Sequence, residues 1–296
     1  MEYKLQKGST DGLLVVFSPI NIPKGKFGFS KYLRDEKRNV LFFNTENTWY
    51  VDCIEEMAEI VEATISNLNT KQVVFYGASM GGYAALRVGG KYPQYPTFVF
   101  GAELNLYMPK SLSQKHSTLK YEFQDIRYFK GLDFSNTVIL FGVFEPVDLL
   151  QYIESLKYNF YSSIPVQSPH AVHEELYYRE LIRPLTDSTS CAEFVENLPT
   201  NFTDIGTPIS EASLLYQMYT DNNALTDKFN LQRIKSIEHP ASFWIQLLAC
   251  QRNRNLGEVL SLALQMEEYF QSRSNGFTMP NKFEKQVTKI IESLSN

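Results

Sequence analysis

Residues 73–83 have the sequence VVFYGASMGGY, which combines three features in one short stretch. Residues 73–76 are apolar and typical of a buried strand, residues 77–81 fit the pattern G-x-S-x-G, and the Ala- and Leu-rich residues 82–89 predict a helix. A serine in this context stands on a sharp turn, where small flanking residues are needed because side chains would collide with the strand or the helix. We therefore interpret Ser79 as a nucleophile and the backbone N–H of Met80, at the helix start, as a donor to an oxyanion.

Short apolar runs alternate with amphipathic or mixed segments through the first 190 residues. Further strands are predicted at 13–17, 40–43, 97–100, 137–141 and 163–166, and further helices at 52–68, 149–156 and 174–185. Unbroken apolar strands separated by helices predict the α/β class, with a mainly parallel sheet covered by helices. Residues 103–133 are polar and aromatic and interrupt the alternation, so we expect an insertion there.

The composition changes near residue 186. Residues 186–208 are rich in Ser, Thr and Asn and predict a linker. Beyond them the patterns predict helices at 211–219, 240–251, 256–269 and 282–294, with no strand. The sequence thus predicts an α/β domain over residues 1–190 and an all-helical region over residues 191–296.

The elbow carries a family resemblance. Residues 76–86, YGASMGGYAAL, are similar to the nucleophile elbow of the α/β-hydrolase superfamily, and the order strand, elbow, acid, histidine resembles that family over about residues 13–185. The Trp49-Tyr50 pair after the second strand, followed by an SMGGY elbow, also resembles bacterial hydrolase-like proteins of surface polysaccharide and accessory secretion systems. The resemblance implies an α/β-hydrolase fold and a Ser-His-acid triad that works through an acyl-enzyme.

A serine hydroxyl needs a base within hydrogen-bonding reach. The chain has four histidines: His116 in the predicted insertion, His239 in the helical region, and His170 and His173 after the strand ending at residue 166. The last two stand where the fold order expects the base. We favour His170, because it lies in a loop, whereas His173 begins a predicted helix.

Two carboxylates follow the strand predicted at 137–141. Glu145 stands three residues after Gly142, where many hydrolases carry the triad Asp followed by Pro and Val, and we favour it as the acid. Asp148 is the alternative acid, and it also fits the N-cap of the next helix.

The second oxyanion donor is expected from residues 18–21. Many hydrolases place His-Gly there, but this chain has Pro19, which lacks an N–H. The backbone of Ile20 or Asn21, or the Ser18 hydroxyl, could donate instead. This departure motivates an alternative function, a hydrolase-fold interaction subunit with weak or no catalysis.

Several aromatic residues are candidates for a substrate pocket. Trp49 and Tyr50 follow the second strand and could form a pocket wall or a buried plug at the strand end. Residues of the predicted insertion could line an acyl or sugar site or simply pack the insertion onto the sheet: Tyr107, Tyr121, Phe123 and Tyr128.

The totals exclude some classes of function. A net charge of -5 argues against a nucleic-acid partner, and three widely spaced cysteines form no metal-ligand pattern and suit a reducing compartment. No apolar run approaches the ~20 residues that span a bilayer, and the first 12 residues lack the apolar core of a signal peptide, so we expect a cytoplasmic protein. No metal or organic cofactor is implied.

The leading hypothesis is therefore a serine hydrolase or acyltransferase that takes an acyl or acetyl group from an ester or thioester. The substrate would be a small molecule or a glycan. The C-terminal helices are a candidate surface for a protein partner.

Overall fold

The computed structural model of the chain describes residues 1–116, 125–126, 129–204, 206–221, 223–273, 279 and 281–295. The strands are β1 (Glu2–Gln6), β2 (Leu13–Phe17), β3 (Asn39–Asn44), β4 (Val73–Ala78), β5 (Thr97–Phe100), β6 (Thr137–Gly142) and β7 (Ser162–Val166). The helices are α1 (Ile54–Leu68), α2 (Met80–Gly89), α3 (Leu112–His116), α4 (Pro146–Ser155), α5 (Val172–Tyr178), α6 (Ile182–Asp187), α7 (Cys191–Asn197), α8 (Ala212–Thr220), α9 (Lys228–Lys235), α10 (Pro240–Arg252), α11 (Leu256–Arg273) and α12 (Asn281–Ser295). Short 3-10 helices cover Ile209–Glu211 and Ala224–Thr226.

One seven-stranded sheet has the order β1-β3-β2-β4-β5-β6-β7. Strand β2 pairs in parallel with β3 and β4, and the parallel pairing continues from β4 to β5 and from β5 to β6. Every residue of β2 is buried, because both faces of a parallel sheet are covered, and this is why its sequence LLVVF is apolar without a break. The predicted α/β class is confirmed, with a mainly parallel sheet and a helical C-terminal region.

The edge strand β1 departs from the sequence prediction, which had no strand before residue 13. It pairs antiparallel with β3, with Glu2 opposite Asn44. Its residues are partly or fully exposed, so its sequence EYKLQ lacks the apolar run that marks the buried strands. The polar side chains suit a strand with a partner on one side only.

The chain divides into two compact units. Unit 1 comprises Met1–Phe141, Glu154–Ile164 and Ala171–Pro199, and unit 2 comprises Gly142–Ile153, Pro165–His170 and Thr200–Asn296. The boundary predicted at residue 190 and the insertion predicted at 103–133 stay predictions.

Within unit 1, helix α2 lies against β2, β4 and β5. Its sequence MGGYAALRVG is buried along almost its whole length, and its glycines and alanines allow this close approach to the strands. Helix α1 instead buries one stripe, formed by Ile54, Met57, Ala58 and Val61, at the spacing of an amphipathic helix.

Within unit 2, helix α10 contacts α8, α9, α11 and α12. Phe144, from the segment after β6, belongs to the same apolar cluster as these helices. The cluster contains Phe144, Phe243, Trp244, Leu247, Cys250, Val259, Leu262, Met266, Phe270, Phe283, Val287 and Ile290. The segment that follows β6 is therefore fixed by C-terminal helices.

The predicted linker at 186–208 is wrong for a large part of its length. It contains the end of α6 and the whole of α7. The N-cap of α7 is Ser190, whose side chain accepts a hydrogen bond from the Glu193 N–H (3.2 Å). Phe194 of α7 is fully buried and stacks on Phe98 of β5 at 4.4 Å between ring centroids. A Ser- and Thr-rich sequence thus forms a helix because two apolar side chains, Cys191 and Phe194, are buried on one side of it.

In the described ranges, no helix is both long enough and apolar enough to cross a bilayer. Over the same ranges, no three His, Cys, Asp or Glu side chains are grouped to hold a metal ion. Cys53, Cys191 and Cys250 are free and buried.

Candidate active site

The turn between β4 and α2 holds Ser79 in a strained backbone conformation, with φ 52° and ψ -120°. A non-glycine residue adopts positive φ at a cost of about 1–3 kcal/mol, and such residues cluster at functional sites. The N–H of Ser79 donates to the carbonyl of Phe100 on β5 (2.8 Å), and Ser79 is half-buried. The turn therefore presents this serine from the carboxyl end of a central strand.

The glycines of the motif are needed for close backbone contacts. A Cβ atom on Gly77 would lie 2.1 Å from the carbonyl oxygen of Gly81, and one on Gly81 would lie 2.1 Å from that of Phe17. Neither site has room for a side chain, which explains both glycines of G-x-S-x-G.

The start of α2 offers an oxyanion donor. The Ser79 carbonyl accepts from the N–H groups of Gly82 (2.9 Å) and Tyr83 (3.2 Å). Met80 is the first residue of the helix, so its N–H has no acceptor within the helix and lies at the positive end of the helix dipole. This position suits an N–H that stabilises negative charge.

The loop after β2 is held by hydrogen bonds of Ser18. The Phe43 carbonyl accepts from the Ser18 N–H (3.0 Å) and the Ser18 hydroxyl (2.7 Å), and the same hydroxyl accepts from the Gly28 N–H (2.9 Å). Ser18 is fully buried. Its hydroxyl is thus committed to the loop and is not available as an oxyanion donor.

The two other donor candidates in this loop differ. Asn21 has φ 64°, and its N–H donates to Oδ1 of Asn47 (3.0 Å), so this amide is occupied. Ile20 is half-buried, and its N–H has no acceptor among the described residues. Of the two predicted backbone donors, Ile20 is the one with a free amide.

Trp49 and Tyr50 are both fully buried, with consecutive positive φ values of 52° and 59°. The Tyr50 hydroxyl is 3.0 Å from the Ser18 carbonyl and 3.2 Å from that of Phe43, so it braces the same loop. Burial raises the pKa of Tyr50, which keeps its hydroxyl a donor. A pocket wall formed by these two residues stays a prediction.

His170 and Asp148 form a buried pair within unit 2. The ring Nδ1 of His170 is 2.8 Å from Oδ1 of Asp148, and both residues are at least nine-tenths buried. An ionised carboxylate only accepts, so the proton of the neutral ring resides on Nδ1 and leaves Nε2 with the basic lone pair. The pair has the arrangement that a general base requires.

Asp148, which we ranked second from the sequence, is thus the carboxylate at the imidazole. Helix α4 begins at Pro146, so Asp148 lies in its first turn rather than at the N-cap. Burial raises the pKa of Asp148, and the hydrogen bond to His170 offsets part of that rise.

Glu145, which we favoured as the acid, contacts His170 through the backbone. Its Oε1 accepts the His170 N–H (2.9 Å) and also contacts Nζ of Lys282 on α12. Burial raises the pKa of Glu145, but its electrostatic interactions and hydrogen bonds with Lys282 and His170 together hold this pKa below its ordinary value. Glu145 therefore supports the His170 loop as an ionised carboxylate.

A close backbone contact also fixes the His170 loop. A Cβ atom on Gly142, at the end of β6, would lie 2.0 Å from the Pro169 carbonyl oxygen. The loop therefore passes directly over the end of this strand. Gly142 served in the sequence prediction only to locate the acid, although a glycine at the end of a strand can indicate a close backbone contact.

His173, the alternative base, is enclosed by aromatic rings in unit 1. The ring centroids of Phe29 and Tyr76 lie 4.1 and 5.8 Å from that of His173, and Phe100 lies at 6.0 Å. Burial lowers the pKa of His173 to about 3, and its Nε2 has no hydrogen-bond partner among the described residues. His173 thus behaves as an apolar core residue.

Unit 2 contains a second buried His-Asp pair, which was not predicted from the sequence. Nε2 of His239 is 2.7 Å from Oδ2 of Asp204, and Nδ1 of His239 accepts the N–H of Ala241 (3.2 Å), capping α10. Both ring nitrogens are occupied, so this pair has no free base. Its task is structural: the Asp204 N–H donates to the Pro165 carbonyl (2.9 Å) on β7, ahead of the His170 loop.

The remaining candidate residues from the sequence are a histidine and several aromatic residues of the predicted insertion. His116 ends α3 and is exposed, and Tyr107 is half-buried. Tyr121, Phe123 and Tyr128 lie outside the described residues.

Comparisons with known proteins give structural similarity only. No family model matches the sequence, and neither does any curated protein. Among solved structures, the chain is similar to the capsule O-acetyltransferase of Neisseria meningitidis serogroup A in complex with caged gadolinium, with 20% identity over 63% of this chain and 90% of that chain and a TM-score of 0.49.

Two further solved structures are similar over less of their length. The glycosylation-associated protein (Gap123) complex from Streptococcus agalactiae shares 18% identity over 60% of this chain and 42% of that chain, with a TM-score of 0.41. Est816, an N-acyl homoserine lactone degrading enzyme, shares 23% identity over 36% of this chain and 43% of that chain, with a TM-score of 0.26. At these identities and TM-scores, the similarities identify neither an activity nor a substrate.

Proposed function

We propose that this chain is a serine hydrolase or acyltransferase acting on an ester or thioester, with Ser79 as nucleophile, His170 as general base and Asp148 as the orienting acid. The observation that carries the proposal is the strained backbone of Ser79, with φ 52°, between a central parallel strand and a glycine-rich helix start. Strain of this kind persists only when the surrounding structure enforces it, and a nucleophile elbow gives it a chemical use.

The buried His170–Asp148 pair supplies the second part of the argument. Asp148 holds the imidazole with the proton on Nδ1, so that Nε2 can accept the proton of Ser79. The chain order serine, carboxylate, histidine is that of α/β-hydrolases. Among the described histidines, His173 and His239 are each committed to packing or to capping.

The reaction proceeds in two halves. Ser79 Oγ attacks the acyl carbonyl while His170 Nε2 takes its proton, which gives a tetrahedral oxyanion held by the N–H groups of Met80 and Ile20. The C–O or C–S bond of the leaving group then breaks, and the leaving group takes the proton from His170. Water or an acceptor hydroxyl next attacks the acyl-enzyme with His170 again as base, which releases the acid or the transferred ester and restores Ser79.

A fluorophosphonate probe tests this proposal, because it reacts with a serine only when a base activates it. We expect one label on the intact chain, located at Ser79 by peptide mass spectrometry. Ser79→Ala should abolish labelling, and His170→Gln should slow it about 10⁶-fold, as removal of the triad base does. His173→Phe is the matched control and should label normally. Folded protein that does not label, or that labels at another residue, would refute the assignment.

A second function, as an interaction subunit, is favoured by two observations. Helix α11 exposes Leu260 and Leu264, which are four residues apart and therefore on the same helix face, and helix α9 exposes Phe229 (75%). The oxyanion loop with Pro19 also departs from the usual hydrolase pattern. Under this alternative the folded chain does not react with the probe, so the same experiment separates the two functions.

A further inference from the structure

Lys282 and His170 are linked through a single carboxylate oxygen. Glu145 Oε1 accepts the backbone N–H of His170 (2.9 Å) and also contacts Nζ of Lys282. Lys282 belongs to α12, and 137 positions separate it from Glu145 along the chain. A cation from the last helix therefore lies two hydrogen bonds away from the backbone of the proposed general base.

The neighbouring residues hold this link in place. Phe283 follows Lys282 and is fully buried, and its ring centroid lies 6.2 Å from that of Phe144, which directly precedes Glu145. Phe283 also packs on Trp244 at 4.9 Å, and Nζ of Lys282 lies 5.7 Å from the same indole. An apolar contact and an ionic contact thus join the same two chain segments side by side.

The burial of Glu145 makes this ion pair more than a surface contact. Its side chain is 15% exposed, whereas that of Lys282 is 44% exposed. The Coulomb attraction is therefore partly screened by solvent, yet Glu145 has a lowered pKa despite its burial because Lys282 and His170 favour its charged form. Without Lys282, a buried carboxylate would face His170 with less positive charge to balance it.

We infer that Lys282 is a positioning residue that acts through Glu145 on the loop carrying His170, so that the helical C-terminal region takes part in setting up the reaction. This inference rests on the proposed function for its catalytic consequence. Its structural content, a link between α12 and the His170 loop, is independent of whether Ser79 reacts.

The sign of the expected effect follows from the charges. The groups near the His170 loop include Asp148 on α4, Glu145 before it, Lys282 on α12 and Tyr219 on α8, whose pKa is raised by burial and by Glu145. Removal of the Lys282 charge leaves the negative charges in excess, which favours the protonated imidazole. A general base is active only when it is deprotonated. If it is protonated more easily, the acid limb of the rate profile moves to higher pH.

We expect Lys282→Met to move that limb by about half a pH unit, which is a loss of about threefold in rate on the acid limb; the shift is small because the lysine is partly exposed. Lys282→Arg keeps the charge and should restore the wild-type profile. The double variant Lys282→Met/Glu145→Gln removes both charges and should bring the acid limb back toward wild type. Lys289→Met, at an exposed position on the same helix, is the matched control and should change nothing.

Two measurements on the full chain separate this inference from the proposed function. The first is the fluorophosphonate labelling rate as a function of pH. The second is the NMR titration of the histidine Hε1 signals, which is practical because the chain has only four histidines. This titration can be measured whether or not the protein is catalytically active.

An upward shift of the His170 titration in Lys282→Met, absent in Lys282→Arg and Lys289→Met, supports the inference even in a chain that does not label; absence of labelling counts only against the proposed function. An unchanged His170 titration and labelling profile in Lys282→Met overturns the inference, whatever the probe shows for the wild type. An equal shift in Lys289→Met also overturns it, because the effect would then be a general one of net charge.

Discussion

Replacement of Gly81 by alanine is the sharpest test of the elbow, because the new atom has no space. Its Cβ would lie 2.1 Å from the Phe17 carbonyl oxygen, 2.6 Å from the Phe17 carbonyl carbon and 2.8 Å from the Ser18 carbonyl oxygen. Cβ atoms essentially never approach such atoms closer than 3.0 Å, so α2 and the end of β2 must separate by at least 0.9 Å, the difference between 3.0 and 2.1 Å.

The size of the effect follows from what must move. The atoms that the new Cβ would meet are backbone atoms of Phe17 and Ser18, so no flexible side chain can relieve the overlap. Strand β2 is fully buried and α2 is buried along almost its whole length. Forcing extra atoms into such a site costs typically 1–3 kcal/mol, and we expect about 3 kcal/mol here. The displaced atoms also carry Ser79 and the loop of Ile20. A misplacement of about 1 Å costs on the order of 100-fold in rate, so we expect labelling of Ser79 to slow by that factor in protein that is still folded.

The assay combines urea unfolding with probe labelling at a temperature where the variant is folded. Gly257→Ala is the control: it lies in the first turn of α11, its Cβ would meet only Oδ1 of Asn255 at 3.8 Å, and it should stabilise the chain by up to about 1 kcal/mol. A Gly81→Ala variant as stable and as reactive as the wild type would refute the close contact and, with it, the described geometry of the elbow.

Three further outcomes follow from the site. Asp148→Asn should slow labelling about 10⁴-fold, as loss of the orienting acid does, whereas Glu145→Gln should slow it less than about tenfold. His173→Phe should label normally and be about 2 kcal/mol more stable than the wild type at about pH 5. The pKa of His173 is about 3 in the folded protein and 6.5 in the unfolded chain, so His173 lowers the stability by about 1.4 kcal/mol for each pH unit below 6.5. Phenylalanine does not titrate and removes that loss. Burial raises the pKa of Asp204, but its interactions with His239, Gly206 and Thr207 together lower this pKa by more. Asp204 therefore stabilises the fold above its ordinary pKa of 3.8, and this gain is lost as the pH falls below that value. Asp204→Asn should flatten this acid limb in urea titrations.

A different result would contradict each of these three predictions. A larger loss in Glu145→Gln than in Asp148→Asn would make Glu145 the acid that the sequence analysis favoured. Loss of labelling in His173→Phe would assign the base to His173 instead of His170. An acid limb that is the same in Asp204→Asn and in the wild type would mean that the Asp204 carboxylate does not stabilise the fold through His239.

The central strands could be predicted from the sequence, since burial on both faces requires an unbroken apolar run. The predicted strands at 13–17 and 97–100 have the bounds of β2 and β5. The edge strand β1 has no such run, because its position depends on pairing with β3. Helix α7 was missed for a similar reason: the contact between Phe194 and Phe98 that holds it joins residues far apart along the chain.

The candidate site shows the same division. The glycine pattern around Ser79 is local, and the structure has the strained turn that it predicts. The choice between Glu145 and Asp148 is not local. It depends on where α4 begins and on the contact between Glu145 and Lys282. These two residues are too far apart along the chain for a sequence motif to link them. A spacing rule finds two carboxylates but does not say which one turns toward the imidazole.

The three-part composition of unit 2 has a consequence for how this protein is made. Two short stretches, Gly142–Ile153 and Pro165–His170, carry Asp148 and His170, and the third begins only at Thr200. A ribosome delivers the amino-terminal part of a chain first. The nascent chain therefore contains its complete Ser79 turn before the aromatic residues that pack with Phe144 have been translated. On the proposed function, a chain that stops before Thr200 would contain the Ser79 turn without the third stretch of unit 2, and we expect Ser79 of such a chain to label poorly.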